Sequence, residues 1–373
     1  MKVPKNIFGT RAAMCLLTAL ESERNEEARR GLATLVEKNA IPWREMLPGP
    51  VAPLMWDIID RAGMSSMLKE ELREALEARF IAQTGKNIAM LEAMGKAAAA
   101  LNGAGIIPAP LKGAALIISG VYARPGRRAM TDIDLLVSPE EFPAAEKAMR
   151  GAGFRESAPK RGHHATYAAP PPFPVIVELH RRLFDRDNPV YRYAYGMDGA
   201  KAAARASRAA FKGCDILLFS PEDMFLHIVC HAAKERFGSL KFIADARLLK
   251  ATFPIDEDKL ADAAAKAGCG GKLRKTVKYV DKVEFIQTDN IIGKCIGPDD
   301  NYYTINRPAD VARERSGERR DAFKTARSAV GEFIYQMGQA EGVARKAAAV
   351  ALMPGYLRRR WKRKPDVPQD ESH

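Results

Sequence analysis

Two features are missing from this sequence, namely long apolar runs and paired cysteines. No stretch reaches the roughly 18 apolar residues that a membrane-spanning helix requires, so the sequence predicts no transmembrane segment. The five cysteines lie far apart and form no Cys-x-x-Cys pair, which predicts reduced thiols and a cytoplasmic protein rather than a disulfide framework. The apolar run Ala12 to Leu20 meets Glu21 without a small-x-small cleavage site, so it predicts an amphipathic first helix and not a signal peptide.

Positive charge is abundant in the chain. Its 373 residues carry 59 Lys and Arg against 46 Asp and Glu, a formal charge of +13. Such an excess predicts an anionic partner, whether nucleotide, nucleic acid or membrane surface, and says nothing about fold. The tail from Arg358 to Lys364 concentrates part of this charge. It could hold an anionic partner or be an ordinary solvated helix end.

The sequence pattern divides the chain into four regions. Residues 1–104 are rich in helix-forming types, and the predicted last helix, Glu74 to Leu101, places apolar residues at three- and four-residue steps. The face predicted for burial consists of Ile88, Leu91, Met94, Ala98 and Leu101. The full prediction is a helical region at 1–104, a core at 105–219, a helical domain at 220–275, and a C-terminal region at 276–373 that is mainly helical, with a basic tail. Residues 276–306 show no clear pattern.

The stretch Met130 to Val137 is an apolar run that contains two carboxylates. In a strand Asp132 and Asp134 share one face while Ile133 points to the other. Two carboxylates on one face of a buried strand repel each other and lose hydration unless a cation intervenes. Such a pair suits Mg²⁺, which binds through one or two carboxylates plus the phosphates of a substrate.

A second alternating run supplies a third carboxylate. Within Val175 to His180, the side chains of Glu178 and His180 point to the same face of a predicted strand. Three carboxylates suit a site that clamps the attacking and leaving oxygens of a displacement at phosphorus. An edge strand with a solvated Glu178 is the structural alternative.

A glycine-bearing turn precedes the acidic run. Extended residues from Ile106 lead into Lys112-Gly113, where a helix is predicted to begin and to last to about Tyr122. Helix N-termini present free N–H groups, so this turn is a candidate phosphate seat to which Lys112 adds a charge. Arg127 and Arg128, in the following basic loop, could also bind phosphate oxygens. Solvated side chains in ordinary loops are the alternative.

Local signals predict several further elements. Ser138 and Ser220 each begin a capping box before a helix, and Lys212-Gly213 predicts the turn of a hairpin. His227 and His231 lie one helical turn apart, which fits either metal binding with Glu235 or packing beneath the site. His163 and His164 precede a predicted strand and receive no assignment.

Together these motifs resemble the nucleotidyltransferase superfamily that includes DNA polymerase β. Within it, the order is similar to a bacterial uncharacterised nucleotidyltransferase family with the pattern LKG…R…DIDLLV…ELH…SPED…H…H. The matching residues are Leu111-Lys112-Gly113, Arg128, Asp132-Ile133-Asp134-Leu135-Leu136-Val137, Glu178-Leu179-His180, Ser220-Pro221-Glu222-Asp223, His227 and His231. The resemblance covers roughly residues 87–250.

This resemblance implies an α+β fold, with a polymerase β-like core around a small mixed sheet and helical regions on both sides. It implies transfer of a nucleoside monophosphate from a nucleoside triphosphate, expected to be ATP, to an acceptor hydroxyl of unknown identity, with Mg²⁺ or Mn²⁺. The implied catalytic and metal-binding residues are Asp132, Asp134 and Glu178, and the nucleotide-binding residues are Lys112, Gly113, Arg127, Arg128 and His180. The superfamily usually has a Gly-Ser turn where this chain has Lys112-Gly113.

Two other functions fit parts of the pattern. Asp-x-Asp on a buried strand also occurs in metal-dependent glycosyltransferases, although a third carboxylate fits two metals better than one. A non-catalytic, antitoxin-like accessory module would keep the fold and use the +13 charge to hold an anionic partner. Retention of all three carboxylates argues against such a module.

Overall fold

The computed structural model describes residues 11–159, 162–172, 175–235 and 237–273, together with Ala347. The predicted C-terminal region, including residues 276–306 and the basic tail, otherwise lies outside these ranges. Among the described residues, no helix is both long enough and apolar enough to cross a bilayer.

The N-terminal region is helical, as predicted, over residues 11–103. Asn25 begins the second helix, because its side chain accepts hydrogen bonds from the backbone N–H groups of Glu27 and Ala28. The third helix is a single turn, and a short 3₁₀ turn precedes the last and longest one. The helices are α1 (Arg11–Ser22), α2 (Glu26–Glu37), α3 (Trp43–Met46), α4 (Ala52–Arg61) and α5 (Glu70–Gly103).

Helix α5 does not bury the whole face that was predicted. Met94 is fully buried as expected, but Ile88 is 51% exposed. Asn87 takes the core-facing position instead, and its side-chain amide donates 2.6 Å hydrogen bonds to the carbonyl oxygens of Pro125 and Arg128. A buried side chain that satisfies two backbone carbonyls outweighs apolar spacing here, so the prediction for Ile88 was wrong.

Five strands form a mixed sheet in the order β1-β2-β5-β4-β3. Strands β2 and β5 run parallel, and the other neighbouring pairs are antiparallel. One face of the sheet carries Ile133, Leu135 and Leu179 into a core shared with α5. The predicted α+β class with a small mixed sheet is confirmed. The strands are β1 (Ala109–Pro110), β2 (Ile133–Leu136), β3 (Arg155–Ala158), β4 (His164–Ala168) and β5 (Ile176–His180).

The hairpin forms where the sequence predicted it, and both predicted capping boxes are formed in part. Ser138 and Glu141 exchange two hydrogen bonds of 3.2 Å, although the helix that follows, α7 (Phe142–Gly151), begins one residue beyond the box. The Ser220 hydroxyl accepts a 3.2 Å hydrogen bond from the N–H of Asp223 and begins α10 (Pro221–Lys234). The hairpin consists of β6 (Ser207–Phe211) and β7 (Cys214–Leu218).

The remaining helices lie before and after the hairpin, and those after it pack against one another. Helix α1 packs against α11, where the Arg247 guanidinium lies 2.5 Å from Glu21. One apolar core therefore joins the N-terminal helices to the helices after the hairpin, while the sheet has a second core of its own. These helices are α6 (Lys112–Ile118), α8 (Pro189–Ala194), α9 (Gly199–Ala204), α10 (Pro221–Lys234), α11 (Lys241–Thr252) and α12 (Glu257–Ala267). The division into four regions stays a prediction.

Candidate active site

One face of the mixed sheet carries polar side chains, opposite the face that forms the core. Strand alternation turns Asp134 away from the side on which Ile133 is buried. The parallel register places Asp134 beside Glu178, and the antiparallel register places His180 beside His164. We call the side chains of Asp134, Glu178, His180 and His164 the polar face. It gathers residues from three strands that are distant in sequence.

Asp134 is the centre of the polar face and is 3% exposed. Its Oδ1 atom lies 2.6 Å from Lys112 Nζ and 2.9 Å from His180 Nε2. Burial alone raises the pKa of this carboxyl, but the Lys112 charge and the His180 hydrogen bond hold it well below its usual range. Asp134 is therefore ionised at neutral pH and held by two positive or hydrogen-bonding partners.

Lys112 reaches Asp134 from the first position of α6. Its backbone has φ +52°, a left-handed conformation that is uncommon for a residue with a side chain. Burial lowers the pKa of its ammonium, but attraction to Asp134 outweighs burial and raises that pKa above its ordinary value. A Cβ at Gly113 would lie 2.8 Å from the Met130 side chain, so glycine allows the helix to pack against the residues before β2. Helix α6 ends at Ile118, earlier than predicted.

Glu178 lies between two imidazoles. Its Oε2 is 3.3 Å from His180 Nε2, and its Oε1 is 3.6 Å from His164 Nε2. The hydrogen bond with His180 outweighs burial and lowers the pKa of Glu178 below its ordinary value. Glu178 is only partly buried, unlike Asp134, so solvent or a ligand can reach it.

Asp132 lies just before β2 rather than within it. Its Oδ1 accepts a 3.1 Å hydrogen bond from the Thr131 hydroxyl. Burial and the negative charge of Asp134 raise the pKa of Asp132, and Glu178 acts in the same direction. The three carboxylates are thus close enough to repel one another, which is the condition that favours a bound cation.

The polar face offers ligand atoms for a metal ion. One atom each from Asp134, Glu178 and His180 lies within 4.8 Å of the other two. Asp132 does not belong to this cluster in the described part of the chain, and its role as a metal ligand stays a prediction. The carboxylate oxygens are the donors that Mg²⁺ and Mn²⁺ prefer.

Arg127 and Arg128 are both buried against carboxylates. Arg127 lies 2.6 Å from Glu23 and 3.2 Å from Asp57. Arg128 forms a two-pronged pair with Asp245, at 2.6 and 2.7 Å. A phosphate could reach either guanidinium only if these pairs separated, so the predicted phosphate contacts remain predictions.

Helix α10 places His227 and His231 behind Lys112. Burial, followed by the Lys112 charge, lowers the pKa of His227 to about 3 and that of His231 well below its usual range. His227 lies edge-on to Phe184, with ring centres 6.0 Å apart. Within the described residues neither histidine belongs to a cluster of three metal-ligand atoms, and the geometry agrees with packing beneath the site.

Several partners of the site were missed in the sequence. His164 received no assignment, although its place in the alternation of β4 puts it on the same face as its register partner His180. Asp245 and Asp57, which hold the arginines, gave no local signal because they are separated in sequence from their partners by 117 and 70 residues respectively. Only the fold shows these contacts.

A cleft of about 340 Å³ lies beyond the carboxyl ends of β2 and β5. Leu136, one strand step beyond Asp134 on the same face, forms part of its lining. Arg181, Arg182 and Arg186 also line it. The cleft therefore adjoins the polar face and offers positive charge near it.

Comparisons with known proteins bear on this site. The family model described as "Uncharacterised nucleotidyltransferase" matches residues 49–283. No curated protein matches the chain. Two solved structures are similar to it. The antibiotic-resistance factor ANT(2'')-Ia has 15% identity and a TM-score of 0.36, covering 52% of this chain and 96% of its own. An antigenic nucleotidyltransferase-like protein from Paracoccidioides brasiliensis has 19% identity and a TM-score of 0.33, covering 51% and 93%. At such TM-scores neither likeness supports an inference about substrate.

Proposed function

Because the chain belongs to the uncharacterised nucleotidyltransferase family, we propose that it moves a nucleoside monophosphate from a nucleoside triphosphate, expected to be ATP, to an acceptor hydroxyl. The acceptor is a small molecule, a peptide or a protein. The observation that carries the proposal is the side-by-side placement of Asp134 and Glu178 on parallel strands, with ligand atoms in reach of each other. The family match favours nucleotide transfer over sugar transfer by an Asp-x-Asp site.

The carboxylates of the polar face, together with the neighbouring Asp132, fit a divalent metal ion. Asp132, Asp134 and Glu178 are the proposed ligands, and their mutual repulsion is relieved by Mg²⁺ or Mn²⁺. When bound, the metal neutralises the charge that builds on phosphate oxygens during transfer. His180 orients Asp134 through their 2.9 Å hydrogen bond.

The proposed reaction forms one bond and breaks one. The acceptor oxygen attacks the α-phosphorus, the bond from that phosphorus to the bridging oxygen breaks, and pyrophosphate leaves. The proton of the acceptor hydroxyl goes to Glu178, because this carboxylate is partly exposed and contacts His180, whereas the Asp134 carboxylate is buried. Lys112 supplies positive charge for the phosphates, while the buried pairs of Arg127 and Arg128 support a positioning role for both.

Labelled nucleotide transfer tests the proposal. The full-length protein is incubated with labelled nucleoside triphosphates, Mg²⁺ or Mn²⁺, and a panel of acceptors. Asp134→Asn should reduce labelling by about 10²- to 10³-fold, since it removes a charged ligand from the site. Asp262→Asn is a matched control because Asp262 is 60% exposed on α12 and pairs with Lys266. Equal labelling by the wild type and Asp134→Asn would refute the catalytic assignment.

One contact favours a second function. The Lys112 ammonium lies 2.6 Å from Asp134, where a cation would neutralise the carboxylate. A non-catalytic module that binds an anionic partner would keep this pair closed. Thermal stabilisation separates the two, because a ligand at a hundred times its dissociation constant adds about 2.7 kcal/mol. Stabilisation by triphosphate that requires metal supports the enzyme, and no stabilisation by any triphosphate favours the module.

A further inference from the structure

Three imidazoles meet at one end of the polar face. One ring nitrogen from each of His163, His164 and His180 lies within 4.8 Å of the other two. The ring centres of His163 and His164 are 4.3 Å apart, and those of His164 and His180 are 4.9 Å apart. We call these residues the histidine trio. Half of the six histidines of the chain are gathered there, from β4, the residue just before it, and β5.

The backbone holds the trio in place. His164 and His180 are register partners across the antiparallel pair of β4 and β5. The carbonyl of His163 accepts a 2.9 Å hydrogen bond from the N–H of Arg181, which fixes the residue next to the strand. All three rings are buried, with exposures of 9%, 5% and 3% in chain order. Ligands held by a paired sheet are positioned before a metal arrives.

The spacing of the nitrogens approaches that of a metal site. His163 Nε2 lies 3.0 Å from His164 Nδ1. Tetrahedral zinc at 2.0–2.1 Å from each nitrogen places ligand nitrogens roughly 3.3 Å apart. In addition, Nδ1 of His180 is buried and has no hydrogen-bond partner among the described residues. An unsatisfied ring nitrogen beside two other imidazoles indicates that a ligand completes the cluster.

We propose that the histidine trio binds a transition-metal ion of the zinc class, at a site distinct from the Mg²⁺ site of the carboxylates. Imidazole nitrogens select Zn²⁺ and related ions, whereas carboxylate oxygens select Mg²⁺. The two sites are adjacent, because Glu178, a proposed Mg²⁺ ligand, contacts both His164 and His180 of the trio. A metal on the trio therefore fixes the imidazoles that orient Glu178. This inference does not depend on nucleotide transfer.

Metal binding by protein without a histidine tag tests the proposal. The full chain is titrated with Zn²⁺ or Co²⁺ alone, in the presence of excess Mg²⁺. One equivalent of Zn²⁺ or Co²⁺ should bind without being displaced by Mg²⁺. The double variant H163A/H164A should lose more affinity than the roughly 10-fold expected when a residue that only supports a metal ligand is removed. H231A is the matched control, because His231 is a partly buried histidine outside the trio; it should bind as the wild type does.

X-ray absorption on the zinc-loaded wild type does not depend on how a variant folds. The expected shell contains three imidazole nitrogens at about 2.0–2.1 Å. A shell of oxygens alone, full displacement by Mg²⁺, or unchanged binding by H163A/H164A would each overturn the proposal. If H163A/H164A loses zinc binding but keeps labelled nucleotide transfer, the proposed function still stands. If Asp134→Asn loses transfer but keeps zinc binding, the zinc site still stands.

Discussion

Two charge clusters in this molecule differ in their balance. Between the helices, every acid has an arginine partner, and we call this group the balanced cluster: Asp57 pairs with Arg61, Arg124 and Arg127, Glu23 with Arg61 and Arg127, and Asp245 with Arg128. At the polar face, Asp134 and Glu178, together with the neighbouring Asp132, face one fixed cation, Lys112, and the titratable His180. Buried charges are tolerated when they are paired. The balanced cluster is thus complete in itself, while the acidic excess of the polar face calls for a further cation.

Breaking the balanced cluster should have the largest effect on stability. Arg128→Met leaves Asp245 buried at 2% exposure, and its remaining hydrogen-bond partner among the described residues is the Tyr122 hydroxyl, which donates at 2.7 Å. The expected loss in free energy of unfolding is about 3–5 kcal/mol, measured by urea denaturation. Mg²⁺ should not restore it, because Asp245 would be a single carboxylate that, among the described residues, belongs to no cluster of metal-ligand atoms.

The double variant Arg128→Met with Asp245→Leu provides the control for this prediction. If the loss comes from an unpaired buried charge, the double variant should be more stable than Arg128→Met alone. A double variant that is less stable by the sum of the single losses would mean that the pair contributes packing and not charge balance.

Lys112→Met should destabilise the protein less than Arg128→Met does, and Mg²⁺ should offset part of the loss. Asp134 then keeps His180 as a partner at 2.9 Å, so we expect a loss of about 1–3 kcal/mol without metal. Millimolar Mg²⁺ should recover part of this loss, since the metal takes the place of the lost cation. Urea denaturation with and without Mg²⁺ measures both values. An equal response of Lys112→Met and Arg128→Met to Mg²⁺ would contradict the contrast between the clusters.

The sequence predicted the unbalanced cluster better than the balanced one. Strand alternation is local, so spacing alone could place Glu178 and His180 on one face of their strand and Asp134 on one face of its own. The parallel register then brings these two faces together. Charge balance between helices is not local, because the partner of Arg128 is 117 residues away at Asp245. Arg128 therefore appeared in the sequence as a phosphate ligand, whereas its side chain lies in a buried pair.

Apolar periodicity failed for a related reason. It treats every apolar residue at helical spacing as a core residue, and at Ile88 the core-facing position one residue earlier belongs to Asn87. The carbonyls of Pro125 and Arg128 that Asn87 satisfies lie 38 and 41 residues further along the chain. Their need for a donor cannot be read from the helix itself. Capping boxes, by contrast, were predicted because both partners lie within four residues.

The reach of the Lys112 charge can be tested by acid titration of His227. The folded pKa of about 3 lies below the ordinary 6.5, so the unfolded chain binds a proton first as pH falls. The stability contribution of neutral His227 is complete above pH 6.5 and is lost toward pH 3. His227→Gln should reduce the dependence of unfolding free energy on pH by about 1 kcal/mol per unit below pH 6.

Lys112→Met should move this titration in a known direction. Burial lowers the pKa of His227 most, and the Lys112 charge is second. Removing that charge should raise the folded pKa of His227, so its acid-induced loss of stability should end at a higher pH and be smaller in total. His227→Gln should abolish that loss. An unchanged pH dependence in both variants would mean that His227 does not report on the polar face.

The smallest expected effect concerns an arginine outside both clusters. Arg182 lines the cleft beyond β2 and β5 and forms no ion pair with the described residues, unlike Arg186, which lies 3.6 Å from Asp198. An unpaired guanidinium is available to a phosphate, as Arg127 and Arg128 are not. Arg182→Ala should raise the KM for the anionic substrate about threefold to tenfold, with unfolding free energy changed by less than about 0.5 kcal/mol. Arg186→Ala is the matched control, and an equal rise in KM for both would show that general positive charge, rather than an unpaired arginine, attracts the substrate.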